Sequence, residues 1–378
     1  MADLLIVAGE ASGDLHGARL LAELERIVPG LRAFGLGGDE MAAQRFEPLA
    51  HSREIAVVGF AEVLKILQRA REIFRRILAE VDRRGTRHAV LIDSPGFNLR
   101  LAKKLHRRGV RVIYYISPQV WAWRQGRVKH IARYVDRMVV LFPFEVDFYR
   151  RHGVEVAHVG HPLIDEVPRL DQVWDRTAGE ELERYVVSLL PGSRASEVRS
   201  LLPVMRASAE RLAGRLPVAF RLIQASNVAP ELFDRLLDGC RLEIERVRGD
   251  RFAAIAGSHL ALCASGTATL EVALLGTPMV VIYRVSRWTA VLGRMVLKVP
   301  YAGMVNLVLG RPAVPELLQE RAEPRRIADE VARLLADRGA IDAMRRSYGE
   351  LRQRLGAGGA SRRAAVEVAR RLGGEGAG

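Results

Sequence analysis

Short apolar runs alternate with longer segments of helical period along most of the chain. In the first half, Leu4 to Ala8, Ala89 to Ile92, Val110 to Ile116, Met138 to Phe142 and Val156 to Val159 predict strands. Leu15 to Ile27, Asn98 to Arg107 and Phe144 to His152 predict helices between them. Strands without polar alternation, separated by helices, are the pattern of a parallel sheet covered on both faces. Around Pro162 to Thr177 the period dissolves into Pro, Asp and Arg, and Val186 to Leu190 then opens a second series of the same kind. The openings of the two series echo each other. Leu-Leu-Ile-Val-Ala-Gly-Glu10 and Val-Val-Ser-Leu-Leu-Pro-Gly192 both read as a strand, a glycine-containing loop and a helix. The expected architecture is therefore α/β, with two Rossmann-like domains whose parallel sheets face a cleft and bind ligands at the carboxyl ends of their strands. The expected bounds are 1–165 and 166–340. Beyond Pro324 the pattern is helical only (Ile327 to Leu335, Ile341 to Leu355, Ser361 to Leu372), with a break at Gly356 to Gly359, and the helices of about 341–378 are expected to pack back on the first domain.

The most apolar long stretch, Leu260 to Tyr283, has the length of a membrane span but carries Glu271, Gly266, Gly276 and Pro278, so strand, helix, strand is the better reading. The 378 residues are 49% hydrophobic, an ordinary globular composition that leaves room for two to three domains. Cys240 and Cys263 are the two cysteines and have no flanking His pair, so neither a disulfide framework nor a zinc site is expected. Asp3 and Glu10 close around the first apolar run, unlike a secretory signal, and the expected location is the cytoplasm. The net charge of +14 favours anionic partners such as phosphates, nucleic acid or lipid headgroups without choosing among them.

Candidate chemistry gathers at the ends of the predicted strands. Gly9 and Gly13 bracket Glu10, Ala11 and Ser12, where free helix N-terminal amides and a carboxylate could meet a ligand; an ordinary tight turn with Asp14 as helix cap is equally compatible. Asp93 ends an apolar strand before Ser94-Pro95-Gly96, where a general base would sit, and capping of the following helix is the competing role. Ser117-Pro-Gln119-Val-Trp121-Ala-Trp123-Arg124 also follows a strand; its tryptophans fit either sugar or acyl contact or core plugging. Gly192, Ser193 and Arg194 offer helix N-terminal amides and a guanidinium suited to phosphate. Ser265, Gly266 and Thr267 open a second amide-rich turn, with Glu271 placed either to accept ribose hydroxyls or to complement the helix dipole. Two such turns in one domain favour a nucleotide diphosphate, although no Gly-Lys-Ser/Thr occurs. His158 and His161 have no third ligand nearby in sequence, so no metal site is expected. From Ala56 to Leu78, apolar residues including Val58, Phe60, Val63, Leu64 and Leu67 alternate with Lys65, Arg69, Arg71, Arg75 and Arg76, a helix fit for a bilayer interface or for packing on the sheet.

These motifs together resemble the lipid-A-disaccharide synthase family, inverting glycosyltransferases of the two-domain GT-B class. The matching stretches are Ala-Gly-Glu10-Ala-Ser-Gly-Asp14, Asp93-Ser-Pro-Gly-Phe-Asn98, Ser117 to Arg124, Leu-Pro-Gly-Ser-Arg194, Ser265 to Glu271, and Asn306 ahead of Glu-Leu-Leu-Gln319. The resemblance implies transfer of a 2,3-diacylglucosamine from its UDP derivative to the 6-hydroxyl of 2,3-diacylglucosamine 1-phosphate, giving a β-1,6 disaccharide and UDP at the cytoplasmic face of the inner membrane. It implies Asp93 as the base with Glu10 beside it, Ser12 and the Ser117 to Arg124 loop (Ser117, Gln119, Trp121, Trp123, Arg124) on the acceptor side or in the cleft, and Gly192 to Arg194, the Ser265 to Thr267 turn, Glu271 and Asn306 on the donor. It further implies peripheral membrane contact through the segment 57–77, no obligatory metal or cofactor, and allows a homodimer. An N-acetylglucosaminyltransferase acting on a polyprenyl-linked acceptor would use the same donor residues. A nucleic-acid binder would share only the charge, and no recognised nucleic-acid-binding motif is present.

Overall fold

The computed structural model describes residues 3–55, 63–122, 125–168, 184–284 and 300–373, and for 63–67 the backbone alone. The chain divides into two compact units, Met1–Pro162 with Gly356–Gly378, and Leu163–Leu355.

In the first unit the described strands are β1 (Asp3–Ala8), β2 (Arg32–Gly37), β3 (Phe46–His51), β4 (His88–Ile92), β5 (Arg111–Tyr115), β6 (Arg137–Val140) and β7 (Val156–His158). They form a parallel sheet in the order β3-β2-β1-β4-β5-β6-β7. Leu4 to Ala8 and Ala89 to Ile92 are fully buried, which is why these strands read as continuous apolar runs. The helices are α1 (Ala11–Ile27), α2 (Asp39–Ala42), α3 (Val63–Arg84), α4 (Pro95–His106), α5 (Val128–Tyr134) and α6 (Pro143–Arg150).

Strands β2 and β3 were not among the predicted elements, and both are atypical. β2 reads Arg-Ala-Phe-Gly-Leu-Gly, and Gly35 sits at φ +144 where a Cβ would lie 2.1 Å from the Ile6 carbonyl oxygen. β3 carries Pro48 and lies at the sheet edge, where a missing N–H is tolerated.

The second unit repeats the arrangement with β8 (Tyr185–Leu190), β9 (Val218–Ile223), β10 (Ile244–Val247), β11 (Leu260–Ala264), β12 (Met279–Tyr283) and β13 (Glu316–Leu318), in the order β10-β9-β8-β11-β12-β13. Its helices are α7 (Leu163–Glu166), α8 (Ala195–Ala213), α9 (Pro230–Leu237), α10 (Arg251–Ala256), α11 (Ala268–Leu274), α12 (Met304–Leu309), α13 (Pro324–Ala336) and α14 (Arg338–Leu355). The apolar stretch from Leu260 to Tyr283 is thus strand, helix and strand, and among the described residues no helix is long and apolar enough to cross a membrane.

The chain returns to the first unit at Gly356, not near 341 as periodicity alone placed it. Met344, Tyr348, Leu351 and Leu355 form one buried stripe of α14, which packs on α11, α12 and α13 and so stays with the second unit. Gly356 and Gly359, at φ +91 and +84, then redirect the chain into α15 (Ala360–Leu372), which packs on α1.

Candidate active site at the strand ends

Each sheet reverses its winding beside its first strand, at β1 and β4 in the first unit and at β8 and β11 in the second, and the carboxyl ends there leave a crevice for a ligand. In the first unit Ala8 pairs with Ile92, so Gly9-Glu10 and Asp93-Ser94 leave the sheet side by side. A Cβ on Gly9 would lie 2.7 Å from the Ser94 hydroxyl, so glycine is what allows the two loops to approach.

Asp93 and Ser94 both hold φ +44, a left-handed conformation costing non-glycine residues roughly 1–2 kcal/mol each. Four hydrogen bonds keep them there. The Asp93 N–H donates to the Tyr115 carbonyl (3.1 Å), and the fully buried Asn98 donates through Nδ2 to the carbonyls of Asp93 (2.8 Å) and Ile92 (3.0 Å). The Tyr114 hydroxyl donates to the same Asp93 carbonyl, and burial, aided by the Asp93 charge, pushes its pKa well up, so it remains a donor. Ser94, not Asp93, occupies the N-cap position of α4. The half-buried Asp93 thus presents its carboxylate from a backbone fixed on both sides.

Glu10 and Ser12 are exposed at the start of α1, whose N-cap makes no side-chain bond. Asp14 does not cap this helix. Its buried carboxylate accepts from the amides of Gly38 (2.6 Å), Glu40 (3.0 Å) and Met41 (3.1 Å), fixing the loop after β2.

After β5 the structure decides between sugar contact and core plugging for Trp121. Ile116 holds φ +65, and the Ser117 hydroxyl donates to the Pro118 carbonyl (2.9 Å) and shares a 2.6 Å bond with the Tyr149 hydroxyl. Trp121 is only 7% exposed, and its indole N–H donates to Glu145 (3.1 Å). Ser117 and Trp121 are therefore internal braces, and in this loop Gln119 is the exposed candidate. Trp123 and Arg124 lie outside the described residues, as do Val58 and Phe60, and the side chains of Val63, Leu64 and Leu67 are likewise undescribed.

In the second unit Gly192 holds φ +109 against Glu197, a residue the sequence reading gave no role. Glu197 accepts from the amides of Ser193 (3.1 Å) and Arg194 (3.2 Å) and from the Arg194 guanidinium (3.0 Å), so a carboxylate occupies the donors suited to phosphate. Its position three residues after the N-cap was the available signal. Ser265 donates to the Ala302 carbonyl (2.7 Å), Gly266 sits at φ +153, and Thr267 is exposed at the head of α11. Glu271 is held by the Arg251 fork (3.0 and 3.2 Å), and Arg251 also stacks on Phe252 at 4.4 Å.

Asn306 is 1% exposed and its amide is fully engaged. Nδ2 donates to the Val314 carbonyl (2.9 Å) and Glu316 (2.7 Å), while Oδ1 accepts from the amides of Ala313 (2.7 Å) and Val314 (2.9 Å). Glu316 in turn receives the amides of Ala302 (2.9 Å) and Gly303 (3.0 Å). With no bond left for a sugar, the Asn306 side chain acts here as a clamp on the loop that carries Ala302.

Comparison with known proteins accounts for both halves together. The family model for lipid-A-disaccharide synthetase matches residues 4–366. The lipid-A-disaccharide synthase of Anaeromyxobacter dehalogenans (strain 2CP-C) is 44% identical over 359 residues, covering 93% of each chain. Among solved structures, UDP-GlcNAc 2-epimerase from Neisseria meningitidis bound to UDP-GlcNAc has a TM-score of 0.65 at 10% identity, over 98% of this chain and 100% of that one. The calicheamicin glycosyltransferase CalG4 has a TM-score of 0.62 at 16% identity, over 100% of both chains. These likenesses identify the GT-B architecture, and the match over residues 4–366 establishes that the chain belongs to the lipid-A-disaccharide synthetase family.

Proposed function

We propose that the chain transfers a 2,3-diacylglucosamine from its UDP derivative to the 6-hydroxyl of 2,3-diacylglucosamine 1-phosphate, with inversion, giving the β-1,6 disaccharide 1-phosphate and UDP. Family membership supports the reaction, and the pinned Asp93 turn at the switch point of the first sheet is the observation that supports the site. Asp93 takes the proton of the acceptor hydroxyl, which requires hydrogen-bond reach, and Glu10 on the neighbouring loop orients that hydroxyl. The acceptor oxygen attacks as the anomeric bond to UDP breaks through an oxocarbenium-like state, as in inverting glycoside hydrolysis. Charge growing on the departing diphosphate is met by Arg194, the Ser193 amide and the turn from Ser265 to Thr267. For that the diphosphate displaces the Glu197 carboxylate from the amides it holds. Glu271 receives the ribose, oriented by Arg251, and Asn306 contributes by holding its loop.

The protein works at the inner membrane surface in the same reading. Helix α4 packs on both α3 and α5, and the exposed side chains of the three include Arg75, Arg76, Arg100, Lys104, Lys129 and Arg133. Each cation near an anionic leaflet contributes about 1 kcal/mol of attraction. Replacing Phe60, Leu64 and Leu67 by Ser should weaken binding to anionic vesicles while leaving UDP affinity unchanged; unaltered vesicle binding would remove that segment from the membrane contact.

Asp93→Ala tests the chemistry. Turnover should fall about 10²- to 10⁴-fold with UDP affinity retained, because a base acts in the transition state. Near-native turnover from folded variant protein would take the role away from Asp93.

A further inference from the structure

The loop after β5 is seated by a carboxylate that no part of the proposed mechanism uses. Glu145 lies in the first turn of α6 and is 2% exposed. One oxygen accepts the Phe142 N–H at 3.0 Å, as a glutamate at that helix position commonly does. The other accepts the indole N–H of Trp121, 24 residues earlier, at 3.1 Å. The indole packs edge-on against Phe144 with ring centres 5.0 Å apart, and Phe144 stacks on Phe142. A second tie runs from the same helix, where Tyr149 bonds Ser117 at 2.6 Å. Both ends of the segment from Ser117 to Trp121 are thus fastened to α6, and Gln119 stands exposed between them.

We propose that Glu145 is a positioning residue for acceptor binding: by holding the Trp121 indole against α6 it fixes the post-β5 loop and the Gln119 side chain that the loop presents. The inference rests on the reading of this loop as acceptor-side. Helix capping alone would need only the Phe142 bond, whereas a buried carboxylate that also takes a distant indole couples two strand ends.

The clamp has a proton-dependent element. Burial pushes the Glu145 carboxyl up to about 7, against the stabilising bonds from Phe142, Ser117, Trp121 and Leu141. Tyr149 on the same helix faces it, with a phenol pushed up chiefly by burial and further by the Glu145 charge, so it stays neutral. His161, which packs against Phe142 at 5.1 Å, is held down to about 3 by burial and is also neutral.

The test uses Glu145→Leu, Glu145→Gln and Trp121→Phe in the full chain. Donor and acceptor KM are measured separately, and intrinsic emission is followed from pH 5 to pH 9. Glu145→Leu and Trp121→Phe should each raise the acceptor KM about tenfold with donor KM within about twofold, and the double variant should add nothing further, as expected for partners in one contact. Glu145→Gln, which keeps an oxygen for the indole, should restore most of the acceptor KM. The wild-type emission should step near pH 7, and the step should vanish in Glu145→Gln and Trp121→Phe. Equal shifts in both KM values, additive losses, or no emission step in folded wild type would overturn the proposal. If Glu145→Leu does not fold, the Gln and Phe variants still decide. Should wild type form no disaccharide, the functional reading falls, and the emission step continues to test the clamp.

Discussion

Asp93 is held through its backbone, so the residues that hold it are as exposed to test as its carboxylate. Asn98→Ala removes two hydrogen bonds, to the Ile92 carbonyl and to an Asp93 carbonyl that keeps the Tyr114 hydroxyl, and at about 0.5–1.5 kcal/mol each the loss is roughly 1–3 kcal/mol. Urea unfolding should show that loss, and turnover should fall more than either KM rises; unchanged stability would mean that the left-handed turn holds itself. Glu145 gives a pH-dependent counterpart. Its folded pKa of about 7 lies above the ordinary 4.5, so between these values the unfolded chain has lost the proton that the folded one keeps. The associated stability is complete below about pH 4.5 and is lost as pH rises through about 7, on the order of 3 kcal/mol in all. Wild type should therefore weaken relative to Glu145→Gln between pH 4.5 and pH 8, and a flat difference would contradict the buried carboxyl. Sequence placed Asp93 and Glu10 just past the ends of β4 and β1, where the structure has them, because a carboxylate that closes an apolar strand is visible in one dimension. It left Trp121 open between sugar contact and core plugging and did not reveal that Ser117 turns inward, since their partners Glu145 and Tyr149 lie more than twenty residues away. Nor did it reveal the saturation of Asn306, which depends on how a later loop folds back over it.

Elements whose apolar residues run unbroken were legible, and those shaped by close backbone approach were not. β1 and β4 are buried on both faces and announce themselves, while β2 depends on Gly35 passing the Ile6 carbonyl, which reads in sequence as a turn. The start of α8 shows a similar concealment. Its motif reads as a phosphate turn, yet its own Glu197 fills the amides. A resident carboxylate competes with an incoming anion, so Glu197→Ala should tighten UDP binding severalfold while lowering stability by about 1 kcal/mol through the lost cap. Calorimetric titration with UDP checks it, and weaker binding would show that Glu197 orients the turn for the ligand instead of guarding it.

At the scale of the whole molecule the chain crosses from one unit to the other and back, and its last helix belongs to the sheet made by its first residues. Ala364, Ala365 and Val368 of α15 share a buried cluster with Leu20 and Leu24 of α1. Arg363 donates to the Val159 carbonyl (2.8 Å), and Arg137 pairs with Glu367 (2.8 Å). A chain ending at Leu355 should therefore lose the first unit's stability selectively, read as unfolding of that unit at lower urea with the second unit's transition unchanged; two unchanged transitions would make α15 dispensable. The doubled parallel-sheet plan was legible in the repeated strand and loop openings; the break at Gly356 to Gly359 was legible too, but not that it marks the return, because α14 and α15 share a helical period and sequence does not say which sheet each stripe meets. All of this serves one reaction, the transfer of the diacylglucosamine. Its most direct test is mass spectrometry of purified protein mixed in detergent with UDP-2,3-diacylglucosamine and 2,3-diacylglucosamine 1-phosphate, with and without EDTA and with Asp93→Ala in parallel. Wild type should give disaccharide 1-phosphate and UDP in equal amounts in both conditions, and the variant only a trace. No disaccharide from folded, UDP-binding wild type, or transfer to a polyprenyl-linked acceptor in its place, would contradict it.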